Sequence, residues 1–332
     1  MTYIWTYLQE NPTEAKRLIG ISYQNLIELM EMAKDKDKKH KEKVEKQKTR
    51  LIRAGGGAKS KLSVEDQIVF TLIYLRQSLT FQVLGWLFQV SESTAHNQFN
   101  YWLKILEDGL PPSLIEQVKK NEENETELLE ILTDYELIVD RAEPEIPRPK
   151  DYQEQKKFDS GKKKEHTRKN QLIVLPGGAD IVDIVPGKRG PESDINLWRS
   201  RKEIFAQEQK FAGDKAYIGE PQIQTPYKKP KKQELTPEQK EENKKFSSLR
   251  VVVEHVIRLV KIFRGAGDKF RLNFDKYESV INTICGQVRL RIGALILDVL
   301  ESGNCPEEIE IIRVNLGSAL LIENPSNPYE SV

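Results

Sequence analysis

Apolar residues in the first third of the chain recur every three to four positions, which is the period of an amphipathic helix. Over residues 1–33 this spacing predicts helices, interrupted at Asn11-Pro12. The lysine-rich run 34–50 continues the region as a solvent-exposed helix. Three glycines at 55–57 follow it. Because no Gly-Lys-Ser/Thr comes after them, they indicate a flexible linker rather than a phosphate-binding loop.

Residues 63–106 carry the pattern of three helices, each with a hydroxyl residue that can cap its first turn, namely Ser63, Thr80 and Ser91. A short helix, a tight turn and a Ser-capped second helix form a helix-turn-helix, whose second helix enters the major groove of DNA. The polar residues that this helix would present there are Glu92, Ser93, His96, Asn97 and Asn100. The small shared core is expected to consist of Val83, Leu87, Val90, Ala95 and Phe99.

Beyond an acidic helical linker the pattern changes to short runs rich in β-branched residues, which predict strands. These runs are 135–140, 171–175, 181–185 and 210–214, with a short fifth element at 222–226. Gly177-Gly178 makes the second and third runs a hairpin. Helices are predicted from Ser193-Asp194 and over 248–263 and 276–300, the second with Val252, Val253, Val256, Leu259, Val260 and Phe263 inside. The order predicts a mixed sheet with helices packed on it.

Composition narrows the class of protein. The 332 residues allow two domains, and 38% hydrophobic residues suffice for a core. No window approaches 18 consecutive apolar residues, and the first residues do not resemble a signal peptide, so we expect neither a membrane span nor secretion. Cys285 and Cys305 cannot build a disulfide scaffold, and with four His a structural zinc site is not expected. A reducing, cytoplasmic location follows.

Charge is segregated along the chain although the formal net charge is only +1. Residues 34–50 hold nine Lys/Arg against four Asp/Glu, and 150–169 and 226–250 each hold eight against four. Residues 122–136 hold seven acids and no base, and the tail 298–332 holds seven acids and one base. Such a molecule can present a basic face to a polyanion, although each run alone fits a solvated helix face equally well.

Three carboxylates form the candidate chemistry. Asp140 ends the first predicted strand, Asp214 ends the fourth, and Glu254 lies mid-helix among valines, where burial is costly without a cation. Converging carboxylates without His or Cys suit Mg²⁺ or Mn²⁺, and two such ions about 4 Å apart can activate an attacking oxygen and stabilise a leaving one. Taken singly, Asp140 and Asp214 also fit turn residues, and Glu254 fits a salt-bridged helix residue.

Two spaced motifs favour the catalytic interpretation. Gly213-Asp214-Lys215-Ala216-Tyr217 contains D-x-[GA]-[YF], and Arg250-x3-Glu254-x6-Lys261 matches R-x3-E-x6-K. With these motifs the chain resembles the bacterial insertion-sequence transposases that carry a DDE triad on a ribonuclease-H-like fold, akin to the Harbinger-type superfamily endonucleases. The resemblance covers about 60–300.

The resemblance implies roles for individual residues. Asp140, Asp214 and Glu254 would be the catalytic metal ligands, with Mg²⁺ or Mn²⁺ as cofactor and two ions expected. Arg250 and Lys261, near Glu254 on the helix, would contact phosphate or steady that carboxylate. Asp194 would cap a helix or orient the site. The cations that would follow the DNA backbone are Lys162, Lys163, Lys164, His166 and Arg168, of which His166 fits a structural role equally well.

Two departures from the family pattern concern residues beside the triad. The Tyr that usually precedes Arg250 would fall at Ser247, and the small pair that commonly follows Asp140 is Arg141-Ala142. Neither change touches an expected metal ligand. The expectation drawn from the resemblance therefore covers the reaction class and does not extend to the detailed activity.

The resulting prediction is a DNA transposase that binds element ends, cuts by metal-dependent hydrolysis and joins strands to target DNA. The expected organisation is a helical region with a basic linker (1–58), a helix-turn-helix domain (59–110), an acidic linker (111–133), a ribonuclease-H-like domain of mixed sheet and flanking helices (134–300) and an acidic tail (301–332). Its partners would be double-stranded DNA, both terminal inverted repeats and target, and further copies of itself, at the bacterial nucleoid.

Three alternatives stay open from the sequence. One is a transposase-derived DNA-binding protein without cleavage, and another is a ribonuclease-H-like nuclease of DNA repair or recombination. For residues 63–106 an ordinary three-helix bundle without DNA contact shows the same pattern, and His96 fits a surface or capping residue as well as a base reader.

Overall fold

The computed structural model describes residues 3–47, 60–121, 124–230 and 233–297. The glycines 55–57, Cys305 and the acidic tail 301–332 lie outside the described residues. The chain forms two compact units, a helical unit (Met1–Pro112 with Val260–Leu300) and a sheet unit (Ser113–Leu259). None of the described helices combines the length and apolar character needed to cross a bilayer.

The helices and strands follow the predicted order. The helices are α1 (Tyr3–Glu10), α2 (Ala15–Ile19), α3 (Tyr23–Lys46), α4 (Val64–Gln77), α5 (Phe81–Phe88), α6 (Glu92–Gly109), α7 (Leu114–Lys120), α8 (Glu125–Leu132), α9 (Tyr152–Phe158), α10 (Asp194–Arg199), α11 (Pro237–Lys261), α12 (Arg264–Gly267) and α13 (Tyr277–Ile292). The strands are β1 (Leu137–Ala142), β2 (Asp159–Ser160), β3 (Glu165–His166), β4 (Arg168–Val174), β5 (Ile181–Arg189), β6 (Phe211–Gly213) and β7 (Ile223–Gln224).

The three predicted capping residues are confirmed in the helix-turn-helix region. The hydroxyls of Ser63, Thr80 and Ser91 each accept the backbone N–H three residues on, at the starts of α4, α5 and α6. The turn between α5 and α6 is tight because the carbonyl of Val90 lies where a side chain on Gly85 would be, 2.7 Å from an added Cβ. Only glycine fits there without displacing the turn.

The shared core of α4, α5 and α6 differs from the predicted one at Leu87. Ala95 and Phe99 are buried as expected, but Leu87 is 49% exposed. Leu84 and Phe88 are buried instead, and Phe88 packs edge-on against Phe70 of α4 with 5.0 Å between ring centroids. Leu84 and Phe88, four residues apart, define the buried face of α5, while Val83 and Leu87 form the next row, of which Val83 is half-buried and Leu87 is exposed.

Helix α13 packs within the helical unit, against α6 and α12. Gly286 lets the backbones approach closely, because a Cβ there would lie 2.5 Å from the carbonyl oxygen of Leu110. The buried Arg289 donates to the carbonyl of Pro111 at 3.0 Å. Helix α13, which the sequence analysis placed with the sheet as part of the predicted helix 276–300, therefore packs with the helices in this structure, and the domain boundaries themselves stay a prediction.

Among the described residues, the main sheet of this unit has five strands in the order β5-β4-β1-β6-β7, and β2 and β3 form a separate two-stranded hairpin. The hairpin of β4 and β5 is confirmed, and β4 also pairs antiparallel with β1. The strands β1, β6 and β7 are mutually parallel. One face packs Leu137, Val139, Ile173 and Leu175 against Trp198 of α10 and the helices α7 and α8. The prediction of an N-terminal helix-turn-helix region followed by a ribonuclease-H-like α+β sheet with flanking helices is confirmed.

Candidate active site

Two of the three candidate carboxylates lie next to each other on adjacent strands. Asp140 lies within β1, which continues to Ala142 rather than ending at Asp140 as predicted, and Asp214 directly follows β6. In the parallel pair of β1 and β6, Val139 is opposite Gly213, so the next residues, Asp140 and Asp214, lie side by side at the carboxyl edge of the sheet. Asp214 also caps the short 3₁₀ turn Lys215–Tyr217, accepting the N–H of Ala216 at 2.8 Å. A carboxyl edge is where α/β sheets commonly bind ligands.

Asp140 is a buried carboxylate with two hydrogen-bond donors. Its Oδ1 accepts the backbone N–H of Arg141 at 2.7 Å, and its Oδ2 accepts from Nη2 of Arg250 at 3.2 Å. Burial raises the pKa of Asp140 above its ordinary value, the charge of Asp214 adds to that effect, and the donors from Arg141 and Arg250 oppose it. A nearby cation would therefore stabilise the charged form of Asp140.

Glu254 lies on the same helix as Arg250, one turn later. Its position among valines in the sequence does not bury it, because its side chain is 58% exposed. Val253 and Val256 occupy the buried face of α11, which turns Glu254 towards solvent. Arg250 Nη2 lies 3.6 Å from Glu254 Oε1, so one guanidinium connects Glu254 with Asp140.

The donor chemistry of these three carboxylates fits a hard divalent cation. In the part of the chain that the structure describes, no group of three or more His, Cys, Asp or Glu is arranged to hold a metal ion. Asp140 and Glu254 instead share the guanidinium of Arg250. The residues therefore suit a divalent cation by type, and Arg250 supplies the positive charge in the arrangement seen.

A buried cluster of charged side chains lies beside Asp140 and includes Arg141, the next residue of β1. Asp194 pairs with Arg141 and also with Lys169, 3.1 Å from its Nζ. Ser193 is the capping residue of α10, so Asp194 holds these two cations rather than the helix end. Lys169 was not identified from the sequence, because it lies in a basic stretch and no local pattern indicates that it is buried.

A second contact that the sequence analysis missed connects the motif around Asp214 to the centre of the sheet. The buried hydroxyl of Tyr217 accepts from Gln171 Nε2 at 3.0 Å, and Gln171 also reaches the backbone carbonyl of Asp194. Burial raises the pKa of Tyr217, and the charges of Asp140 and Asp214 add to it. The D-x-[GA]-[YF] motif contains this tyrosine and was the available signal.

The predicted backbone-contacting cations lie on and beside the hairpin of β2 and β3. Lys162, Lys163 and Lys164 form its exposed turn. His166 and Arg168 are half-buried, and Arg168 lies over the ring of Phe158 at 5.1 Å while donating to the carbonyl of Gly187. Lys162 and Lys164 thus present exposed side chains to a polyanion, whereas Lys163 donates to the backbone carbonyl of Glu143 and Arg168 already has a structural role.

The predicted base-reading residues share one side of α6. Ser93, His96 and Asn97 are exposed and Asn100 is half-buried. His96 stands edge-on to Phe81 with 5.2 Å between ring centroids, and Asn100 Nδ2 lies 3.1 Å from its Nε2. Lys261, the last residue of α11, is exposed and belongs to the helical unit.

Known protein families match both the helix-turn-helix region and the region that contains the candidate carboxylates. A family model described as DDE superfamily endonuclease matches residues 139–288, and one described as helix-turn-helix of DDE superfamily endonuclease matches residues 60–112. Over 280 residues the chain is 33% identical to a probable transposase for insertion sequence element IS702 of Microchaete diplosiphon, which covers 82% of this chain and 91% of that protein. No solved structure gives a significant match.

Proposed function

This chain belongs to the DDE-type insertion-sequence transposases, and we propose that it binds the terminal inverted repeats of an element and cuts and joins DNA strands there. Water would attack a phosphodiester in line to free a 3′-hydroxyl, and that hydroxyl would then attack target DNA. DDE superfamily endonucleases generally use divalent metal ions. The parallel register that sets Asp140 beside Asp214 is the observation that carries the proposal.

We assign the metal-holding role to Asp140, Asp214 and Glu254. Two Mg²⁺ or Mn²⁺ ions bound there would activate the attacking oxygen and stabilise the leaving one. Asp140 and Asp214 provide a fixed pair on neighbouring strands, and Glu254 joins them from α11 by a change of side-chain rotamer. Arg250 balances Asp140 before loading and, once released, would contact the phosphate next to the cleaved bond.

The DNA contacts divide between the two units. Ser93, His96, Asn97 and Asn100 of α6 would read base edges, which gives sequence preference. Lys162, Lys163, Lys164, His166 and Arg168 would position the backbone, as would Lys261. Joining two element ends requires at least two active sites, so we propose a homodimer or larger assembly acting at the nucleoid. The domain organisation proposed from the sequence assigns end binding to 59–110 and chemistry to 134–300.

Cleavage of a duplex that carries the element end tests this function. Wild type is expected to nick it with Mg²⁺, and Asp214→Asn is expected to abolish nicking while its amide oxygen keeps the cap on Ala216. The exposed Asp134 provides the matched control, and Asp134→Asn should nick as wild type does.

Each rival function gives a different outcome in the same assay. Sequence-specific binding without nicking by any form would indicate a transposase-derived DNA-binding protein. Nicking of branched DNA with no preference for the end sequence would indicate a repair or recombination nuclease. Equal nicking by wild type and Asp214→Asn would overturn the assignment of the triad.

A further inference from the structure

A cleft of about 410 Å³ lies beside the second helix of the helix-turn-helix, within the helical unit. One wall is Phe81, His96 and Asn100. The other comes from the segment between α12 and α13 and consists of Arg271, Leu272, Asn273 and Lys276. The second wall comes from a part of the chain more than 160 residues away in sequence. The function proposed above assigns no role to the residues of this second wall.

The charged groups that line the cleft are cationic. Arg271 and Lys276 contribute positive charge, and none of the lining residues carries a carboxylate, although the exposed Asp275 precedes Lys276 in the chain. The nearby Asp268 is already paired with Arg264 at 2.8 Å. Pockets for small molecules are mostly apolar, so this lining favours an anionic partner over an apolar one.

The basic wall is held rigidly against the helix-turn-helix. Phe270 is buried and packs edge-on against Tyr277, with 5.0 Å between ring centroids. Gly265 of α12 lies against the carbonyl of Leu75, which an added Cβ would approach to 3.1 Å. Arg271 is close enough to Tyr74 for its charge to oppose the rise in pKa that burial gives this phenol. Tyr74 in turn stacks on Phe81, 5.0 Å between centroids.

We propose that Arg271 and Lys276 each bind a backbone phosphate of the DNA duplex beside the major groove that α6 enters. This inference rests on the proposed DNA binding by the helix-turn-helix and adds a contact surface outside it. A helix in the major groove has the phosphates of the groove walls along its flanks, and the cleft flanks α6 on the side of His96 and Asn100. Phosphate contacts fix register and orientation without reading sequence.

The salt dependence of DNA binding by the full chain tests the proposal. Each phosphate contact contributes about −0.9 to the slope of log K against log salt, so Arg271→Gln with Lys276→Gln should reduce the slope by about 2. From that slope, the affinity at about 0.15 M salt should fall roughly thirtyfold, and the two proteins should converge near 1 M. The loss should be equal for the element-end duplex and for a shuffled duplex.

The matched control removes two cations of the same unit outside the cleft, Lys16→Gln with Arg17→Gln on α2, which should leave the slope unchanged. An unchanged slope in the Arg271/Lys276 variant, with wild type binding normally, overturns this inference and leaves the proposed function intact. A loss confined to the element-end duplex also overturns it, because that result indicates base reading. If wild type binds no duplex, the proposed function itself fails.

Discussion

The guanidinium of Arg250 donates a hydrogen bond to the buried carboxylate of Asp140, with 3.2 Å between Nη2 and Oδ2. The same nitrogen lies 3.6 Å from Glu254. A side-chain cation therefore balances two of the three carboxylates that we assign to metal binding. Arg250 and a divalent cation should compete for Asp140, and this competition gives the site measurable properties without DNA.

Arg250→Gln is expected to lower the free energy of unfolding by about 1–3 kcal/mol in metal-free buffer, because Asp140 loses its charged donor while still buried. Denaturant unfolding in EDTA measures the change. Arg264→Gln is the control, since it breaks an exposed pair with Asp268 and should cost less than about 1 kcal/mol. Equal stability of wild type and Arg250→Gln would contradict the role of Arg250.

Asp140→Asn is expected to stabilise the metal-free chain at neutral pH. Burial raises the pKa of Asp140 in the folded state, so its protonated form favours folding, and that contribution is lost as the pH rises through the folded-state pKa. Asparagine is neutral throughout, so the advantage of the variant should grow with pH and vanish below the ordinary aspartate range. Thermal unfolding between about pH 4 and about pH 8 in EDTA measures it. A stabilisation by Asp140→Asn that is largest at acid pH would contradict the predicted direction of the pH dependence.

Gly213→Ala is expected to disturb both stability and catalysis. An added Cβ would lie 2.8 Å from Ile223, 2.9 Å from Tyr217 and 3.2 Å from Val139, so either these side chains or β6 must shift, and a shift of β6 carries Asp214 with it. Overpacking of this kind costs about 1–3 kcal/mol. Gly161→Ala is the matched control, because no atom lies within 4 Å of its added Cβ. Full cleavage by Gly213→Ala would show that the spacing of the two aspartates is not critical.

Asp194→Asn is expected to cost about 3–5 kcal/mol, because Arg141 and Lys169 would stay buried without their anion. The measurement is again denaturant unfolding. Glu154→Gln breaks an exposed pair with Lys157 and should change stability by less than about 1 kcal/mol. If Asp194→Asn is as stable as that control, the cluster does not hold this end of the sheet together.

The sequence predicted those features that local patterns determine. Runs of β-branched residues located β1, β4 and β5, and hydroxyl caps located the starts of α4, α5 and α6. The short polar helix α9 was missed because its residues show no apolar period. The partner of α13 was not predictable from its own pattern, since an amphipathic face does not specify what covers it.

In the candidate site, too, local sequence patterns predicted some features but not the contacts between residues that are far apart in the chain. Asp140 and Asp214 could be placed together, because each was predicted to end a strand and neighbouring parallel strands share a carboxyl edge, although β1 continues to Ala142. For Glu254 the sequence left a buried metal ligand and a salt-bridged helix residue open, and the helical period directs Val253 and Val256 inward and Glu254 outward, where it pairs with Arg250. The contact between Arg250 and Asp140 joins residues 110 positions apart, and no local pattern encodes it.

Titration of Mn²⁺ into the metal-free full chain tests the joint role of the three carboxylates most directly. Wild type and Asp134→Asn should bind with equal affinity, whereas Asp140→Asn, Asp214→Asn and Glu254→Gln should each bind at least about tenfold more weakly, since even groups that only support metal ligands cost that much. Unchanged Mn²⁺ affinity in any one of the three variants would contradict the account.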